Sequence, residues 1–418
     1  MKKILLCTTA LAGLVAGSAF AGDLNVTVSG NNKFEAGARK MNKNYSAQLP
    51  LTANQNSGAF FSTSKAAVNV TNKTDNNLTY GASIRLQVAT NQSNGTDKES
   101  RMDRSHLFLD SDFGSVQLGT NVAASKLMQV SASDIASGTG GVDGDYPKFL
   151  NFSGSQNGTV VSEDGFQLQD IAVLGVDTLS NRKDGTTESA EKITYLSPRV
   201  EGVQFGMSYV PDLSNGGNSL NATTLNGATG SNPTYIYSTN YVRVRNLWSF
   251  GLNYKNTFNE VNVELAATAD TGKSRQKSTT GQALKGNNAV NGVNTYTVGG
   301  LVGMRGFSVV ASYAKDGDSA LPKGLTNQST IHSKFKSQWW TTGVAYANGP
   351  MSTSLTYLSG KKGYTNDTVK SQVVSLGADY EVAPGFKPFA EVTYAKFKPS
   401  NVAAIKATVF ILGTRVKF

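Results

Sequence analysis

The chain has 418 residues, with 39 lysines and arginines against 29 aspartates and glutamates, a formal charge of +10, and one cysteine. That cysteine, Cys7, lies in an N-terminal apolar run, so disulfides, thiolate zinc sites and cysteine nucleophiles are excluded from the rest of the chain. No later apolar run approaches the roughly 20 residues of a membrane helix, which excludes a helical membrane protein and leaves a β-barrel one open.

The N-terminus reads MKKILLCTTALAGLVAGSAFAGD. Lys2 and Lys3 precede an apolar run from Ile4 to about Gly17, and Ser18-Ala19-Phe20-Ala21 follows as a small-residue cleavage site. Residues 1–21 therefore read as a secretory signal peptide, and residues 22–418 as the mature chain. Its basic excess is dispersed, and export argues against nucleic acid as a partner. No Pro-rich or Ser-rich linker divides it.

Period-2 alternation is the dominant signal. DLNVTVSG sets Leu24, Val26 and Val28 on one face and Asn25, Thr27 and Ser29 on the other. LTYGASIRLQVAT repeats the pattern, with Arg85 on its polar face. Strands are expected at 23–39, 60–72, 78–90, 101–111, 115–121, 188–199, 203–210, 248–256, 260–271, 294–305, 307–315, 337–347, 351–361, 370–381, 386–397 and 405–418. That is sixteen, an even number. Short links such as SDFG, RVEG, RG and NG alternate with links of several to dozens of residues, which describes an up-and-down barrel with one tight-turn rim and one long-loop rim.

Alternation alone does not say which face meets water. The polar faces carry Lys33, Glu35, Arg39 and Arg85 in mid-strand, and the apolar faces hold few residues large enough to fill a sixteen-stranded interior. The polar face is therefore expected to line a lumen and the apolar face to meet lipid. The C-terminal ATVFILGTRVKF puts Phe410, Leu412, Thr414, Val416 and Phe418 on one face. A terminal aromatic on an alternating strand is the mark of barrel assembly, which makes Phe418 the expected assembly signal. Aromatics near strand ends, among them Tyr80, Phe108, Trp248, Trp339, Trp340, Tyr357 and Tyr394, are expected to form two interfacial girdles.

Two stretches carry a resemblance. FLDSDFGSVQLGTN, with Phe113-Gly114 and Leu118-Gly119, resembles the hairpin of the fourth and fifth strands of Gram-negative general porins. ITYLSPRVEGVQFGMSYVP, with Tyr195, Ser197, Pro198 and Gly202, resembles a later hairpin of the same family. The resemblance implies an all-β, sixteen-stranded transmembrane barrel in the outer membrane, whose third external loop folds inward and narrows the pore. Residues 122–187 occupy that place. They are rich in glycine and acid, as suits a loop that turns tightly and lines a wet lumen rather than packing a core.

The family implies a basic cluster on the first strands opposite that loop. Lys33, Arg39 and Arg85 have lumen parity in their strands and Lys65 shares it, so these four are the expected basic wall. Asp134, Asp143, Asp145, Glu163 and Asp164 are the expected acidic loop. Counting back from Phe113-Gly114 gives lumen parity to Asp103 rather than Arg104. The same residues read as solvated charges at a barrel rim if they miss the neck. Tyr146, Phe149, Phe152 and Phe166 read either as a solute track or as anchors of the loop, with anchoring preferred.

The function expected is passive diffusion of small hydrophilic solutes and ions through a water-filled pore. A substrate-specific channel and a structural or adhesive barrel are the alternatives. Catalysis is not expected: His106 and His332 are the only imidazoles, and neither has a nucleophile motif beside it. SGTGGVDGDYP matches neither a dinucleotide nor an EF-hand pattern, so no metal or cofactor is called for. The family implies a homotrimer, with outer-membrane lipid and lipopolysaccharide as further partners.

Overall fold

The computed structural model describes residues 24–42, 57–89, 99–150, 172–176, 187, 190–213, 242–276, 291–319, 336–364, 367–399 and 403–418. The segment read as a signal peptide, 1–21, lies outside them. So do Glu163 and Asp164 of the acidic loop, Phe152, Phe166 and His332.

Sixteen strands form one closed antiparallel barrel in which each strand pairs with its sequence neighbours and β1 closes on β16. In chain order they are β1 (Asn25–Met41), β2 (Gly58–Lys73), β3 (Thr79–Ala89), β4 (Glu99–Ser111), β5 (Gly114–Thr120), β6 (Glu191–Leu196), β7 (Val203–Asp212) and β8 (Val242–Phe258). The second half is β9 (Val261–Gln276), β10 (Val293–Met304), β11 (Phe307–Gly317), β12 (Ser337–Asn348), β13 (Met351–Tyr364), β14 (Asp367–Tyr380), β15 (Phe386–Pro399) and β16 (Ile405–Lys417). Every expected strand is present. The largest discrepancy is β8, which starts at Val242 rather than 248 because the register slips between Arg245 and Trp248, where Asn246 takes a left-handed φ of 48°. The extra residue breaks the alternation that marks a strand in the sequence.

The tight rim is made of left-handed turns. Asn259 and Glu260, Arg305 and Gly306, and Gly349 all have positive φ where two-residue links reverse the chain, the conformation that hairpin turns matching the strand twist require. Closure falls at the same rim. The Phe418 N–H donates to the Gly30 carbonyl at 3.1 Å, and the Phe418 carbonyl accepts the Gly30 N–H at 2.8 Å. The Phe418 ring lies over Gly30, where a Cβ would overlap it.

The apolar faces point outward. Phe34, Phe60, Leu86, Leu107, Leu355 and Leu412 are exposed around the barrel, and a contiguous apolar exterior of this extent belongs in a bilayer. Trp340, Tyr394 and Tyr346 lie among them, with Trp340 packed 5.0 Å from Tyr357. Two of the expected girdle aromatics are instead internal. Trp339 is 1 % exposed, since adjacent residues of a strand face opposite ways. Phe108 lies against the lumen side of Gly81.

Inside the barrel, the loop after β5 adds two short helices, α1 (Ala124–Met128) and α2 (Tyr146–Leu150), with 3-10 turns at Ala132–Ile135 and Gly141–Asp143. These segments travel around the inner wall. The first helix packs on β7, β8 and β9, the turns on β11 to β15, and α2 on β16 and β1. The expectation that this loop lines water without packing a core is overturned. Val142, Tyr146, Phe149 and Leu150 are buried against lumen-facing Phe397, Val409 and Ile411 in one apolar cluster. The acid and glycine of the loop sequence conceal a set of buried anchors.

Candidate functional site

The inward course of the loop is fixed by wall side chains that accept its backbone N–H groups. Ser208 and Ser249 accept from Ala124 and Ser125 at 2.9 and 3.0 Å. Thr341 accepts from Ala132 at 3.2 Å, Ser354 from Ser137 at 2.7 Å and Thr356 from Val142 at 3.1 Å. Ser371 accepts from Val173 at 3.1 Å, so the later segment 172–176 joins the same wall. Each of these N–H groups is buried, where an unpaired donor costs about 1–3 kcal/mol. The ladder therefore sets both the path and the depth of the loop.

Two wall acids close the ladder. Glu391, 1 % exposed on β15, accepts from the Thr139 N–H at 2.8 Å, the Thr139 hydroxyl at 2.8 Å and the Gly141 N–H at 3.2 Å. Asp379 on β14 accepts from the Gly138 N–H at 3.0 Å, and Arg415 donates to the Gly138 carbonyl at 3.0 Å. Glycines on the wall let the loop lie flat. A Cβ at Gly299 would overlap the Val130 carbonyl, and one at Gly37 would fall on the Phe149 ring.

Where α2 meets β1, four charges gather. Lys33 pairs with Asp145, and with Glu35 at 3.1 Å; Lys148 pairs with Asp145 at 2.9 Å and with Glu35 at 3.3 Å. Burial works to raise the Asp145 carboxyl, but Lys148 and Lys33 together hold it below the usual carboxylate range. Beside this cluster Arg39 donates to the Phe149 carbonyl at 3.2 Å and to the Leu150 carbonyl, where a cation meets the exposed carbonyls of a helix end. Phe149 packs edge-on against Phe61 of β2 at 4.8 Å. The Tyr146 hydroxyl donates to the Leu174 carbonyl at 2.8 Å. Both aromatics are buried anchors; neither is surfaced for solute.

The sequence-derived residues thus separate into groups. Lys33, Arg39 and Asp145 meet one another's elements directly at the loop's dock. Asp143 accepts from the Val176 N–H at 3.2 Å and so ties two parts of the loop together. Asp134 remains exposed and accepts from the Ser131 N–H at 2.7 Å. Lys65 and Arg85 stand on β2 and β3, away from the main packing of the loop's described segments on β7 to β1. Arg85 holds Asp103 through Nε at 2.8 Å and a second nitrogen at 2.5 Å. The register slips beside this pair, between Arg85 and Leu86 on the β3 side, which brings Arg104 opposite Arg85 while Asp103 also turns inward. A parity count admits only one of the two, and the bulge admits both. Glu391, Asp379 and Lys148 were not assigned from sequence. Lumen parity marks the first two, but nothing local in the sequence pairs a strand acid with a loop amide.

A closed even-stranded barrel with an apolar exterior, one rim of tight turns, one rim of long links and a charged, loop-narrowed interior is an outer-membrane channel. The sequence matches the Gram-negative porin family over residues 8–400, and the chain belongs to that family. Similar proteins include one from Rickettsia prowazekii, 28 % identical with 95 % of this chain and 93 % of that one covered, and one from Rickettsia felis, 28 % identical with both chains covered completely. Among solved structures, a triple mutant of the Rhodopseudomonas blastica porin has the same fold. Its TM-score is 0.53 at 15 % identity, covering 94 % of this chain and all of that one. The protein is an outer-membrane porin, and its family and fold point to a channel rather than an enzyme.

Proposed function

We propose that this porin passes small hydrophilic solutes and ions by passive diffusion through an off-axis neck. The neck is bounded on one side by the loop and on the other by β2 to β5. The observation that carries this reading is the course of the loop's described segments around the wall from β7 to β1, where their main packing lies. Around the level of Lys33, the described charged side chains of the open wall are Lys65, Arg85 and Arg104 against Asp103, and the dock cluster of Lys33, Lys148, Glu35 and Asp145 is neutral in sum. A charge beyond about 8 Å from the path is largely screened at physiological salt, so these local groups outweigh the net charge of the chain. The neck accordingly favours anions weakly, and Glu163 and Asp164 set how weakly if they reach it. We further propose that residues 1–21 are removed on export, that Phe418 serves barrel assembly, and that the channel works as a homotrimer.

Planar-bilayer recording tests the neck. Removing residues 131–158 deletes the ladder's middle and α2, so single-channel conductance should rise and larger sugars should pass. An assembled variant with unchanged conductance would place the constriction elsewhere.

A further inference from the structure

The outer surface of the barrel carries a feature the channel does not use. Lys361 on β13, Lys370 on β14, Lys396 and Lys398 on β15, and Lys406 on β16 all stand at the long-loop ends of their strands, in the register of outward-facing residues. Lys361 is directly opposite Lys370, Lys370 is opposite Lys398, and Lys396 is opposite Lys406. Side chains directly opposed across antiparallel strands sit about 5 Å apart, and like charges there are destabilising. Three such pairs in one patch call for a counter-charge.

The described residues do not supply it. Among the described residues none of these five lysines has a carboxylate within ion-pair distance. Apart from Asp367 at the first position of β14, the acids of β13 to β16 are Asp379 and Glu391, and both are engaged with the loop inside the lumen. The patch is also one-sided. At the tight-turn ends of the same strands the outward positions hold Met351, Tyr380, Phe386 and Val416. Lys396 lies two residues beyond Tyr394, about 7 Å along the strand, so the lysines stand just outside the aromatic level, where headgroups begin.

We propose that this patch binds the phosphate groups of outer-leaflet lipid, with neighbouring strands sharing each phosphate. The proposal rests on the outer-membrane reading, which puts the long-loop rim at the outer leaflet. Charge complementarity selects the occupant: the site offers several ammonium groups and, among the described residues, no carboxylate, next to an apolar wall that takes acyl chains.

The test compares the full mature channel with two triple variants, Lys361→Gln/Lys370→Gln/Lys398→Gln and the matching Lys→Arg set. Retention of phosphatidylglycerol from neutral detergent is measured by native mass spectrometry, with phosphatidylcholine and inorganic phosphate as controls. Wild type and the Arg set should hold phosphatidylglycerol over phosphatidylcholine. The Gln set should hold it on the order of a hundredfold more weakly, at about 1 kcal/mol per lysine. With repulsion relieved, the Gln set should unfold in neutral detergent at the same temperature as wild type or higher. Equal retention of the two lipids, full retention by the Gln set, displacement by inorganic phosphate alone, or a less stable Gln set would each overturn the proposal. Single-channel conductance of the same samples separates the two readings: a Gln set that conducts normally yet never prefers the anionic lipid removes the lipid site and leaves the porin intact.

Discussion

Strands β7 to β16 turn short hydroxyls and three buried carboxylates, Asp212, Asp270 and Glu391, toward the lumen, whereas β2 to β5 turn Lys65, Arg85 and Arg104 toward it. The same alternation builds both walls. Side-chain length separates their work: a serine or threonine holds a loop amide at 2.7–3.2 Å and keeps the loop pressed to the strand, while a long cation reaches further from the wall. On the proposed reading, one wall is furnished to be covered and the other to be seen by solutes.

The comparison breaks most visibly at Glu391. Replacing it by alanine leaves the Thr139 and Gly141 N–H groups buried without acceptors, a loss of about 3 kcal/mol or more in loop docking. The channel should become noisy and more conductive while the barrel stays assembled, and external protease should nick the loop. Quiet wild-type currents from Glu391→Ala would show that the ladder does not hold the loop.

On the open wall the expected effect is smaller and of another kind. Arg85→Glu changes the local charge by two units beside Asp103, so the reversal potential in asymmetric, low-salt solutions should swing toward cations. Loop protection should remain as in wild type. A reversal potential that does not move would put Arg85 outside the ion path.

The smallest effect concerns pH. Asp145 is held below the usual range, so its share of docking is present above the ordinary carboxylate pKa of about 3.9. That share is lost progressively as the pH falls through this value toward the depressed one. Current noise should therefore grow on acidification below about pH 4, and Asp145→Asn should flatten that dependence. If wild type and Asp145→Asn respond alike, the acid sensitivity belongs to other groups.

All sixteen strands were legible because alternation is a local property, repeated over a dozen residues at a time. The bulges at Arg85–Leu86 and Arg245–Trp248 were not, since one extra residue looks like noise in a period of two. The basic wall was legible in part. Parity placed Lys33, Arg39, Lys65 and Arg85 inward, yet parity is silent on whether an inward cation meets water or a folded loop. Lys33 and Arg39 meet the loop. Trp339 shows the same limit from the apolar side: it is a strand-end aromatic like Trp340, but it packs within the lumen beneath Val173 and Gly360.

Thiol labelling from the external side addresses the two-wall account most directly, because Cys7 is the chain's one cysteine and falls within the segment read as a signal peptide. Arg85→Cys and Thr356→Cys put single thiols on the open and covered walls. A charged, membrane-impermeant methanethiosulfonate should react quickly with Arg85→Cys and cut its single-channel current, while Thr356→Cys, beneath Val142 and Gly141, should react slowly and leave the current unchanged. Fast labelling and block at Thr356→Cys with protection at Arg85→Cys would mean that the loop covers the opposite wall.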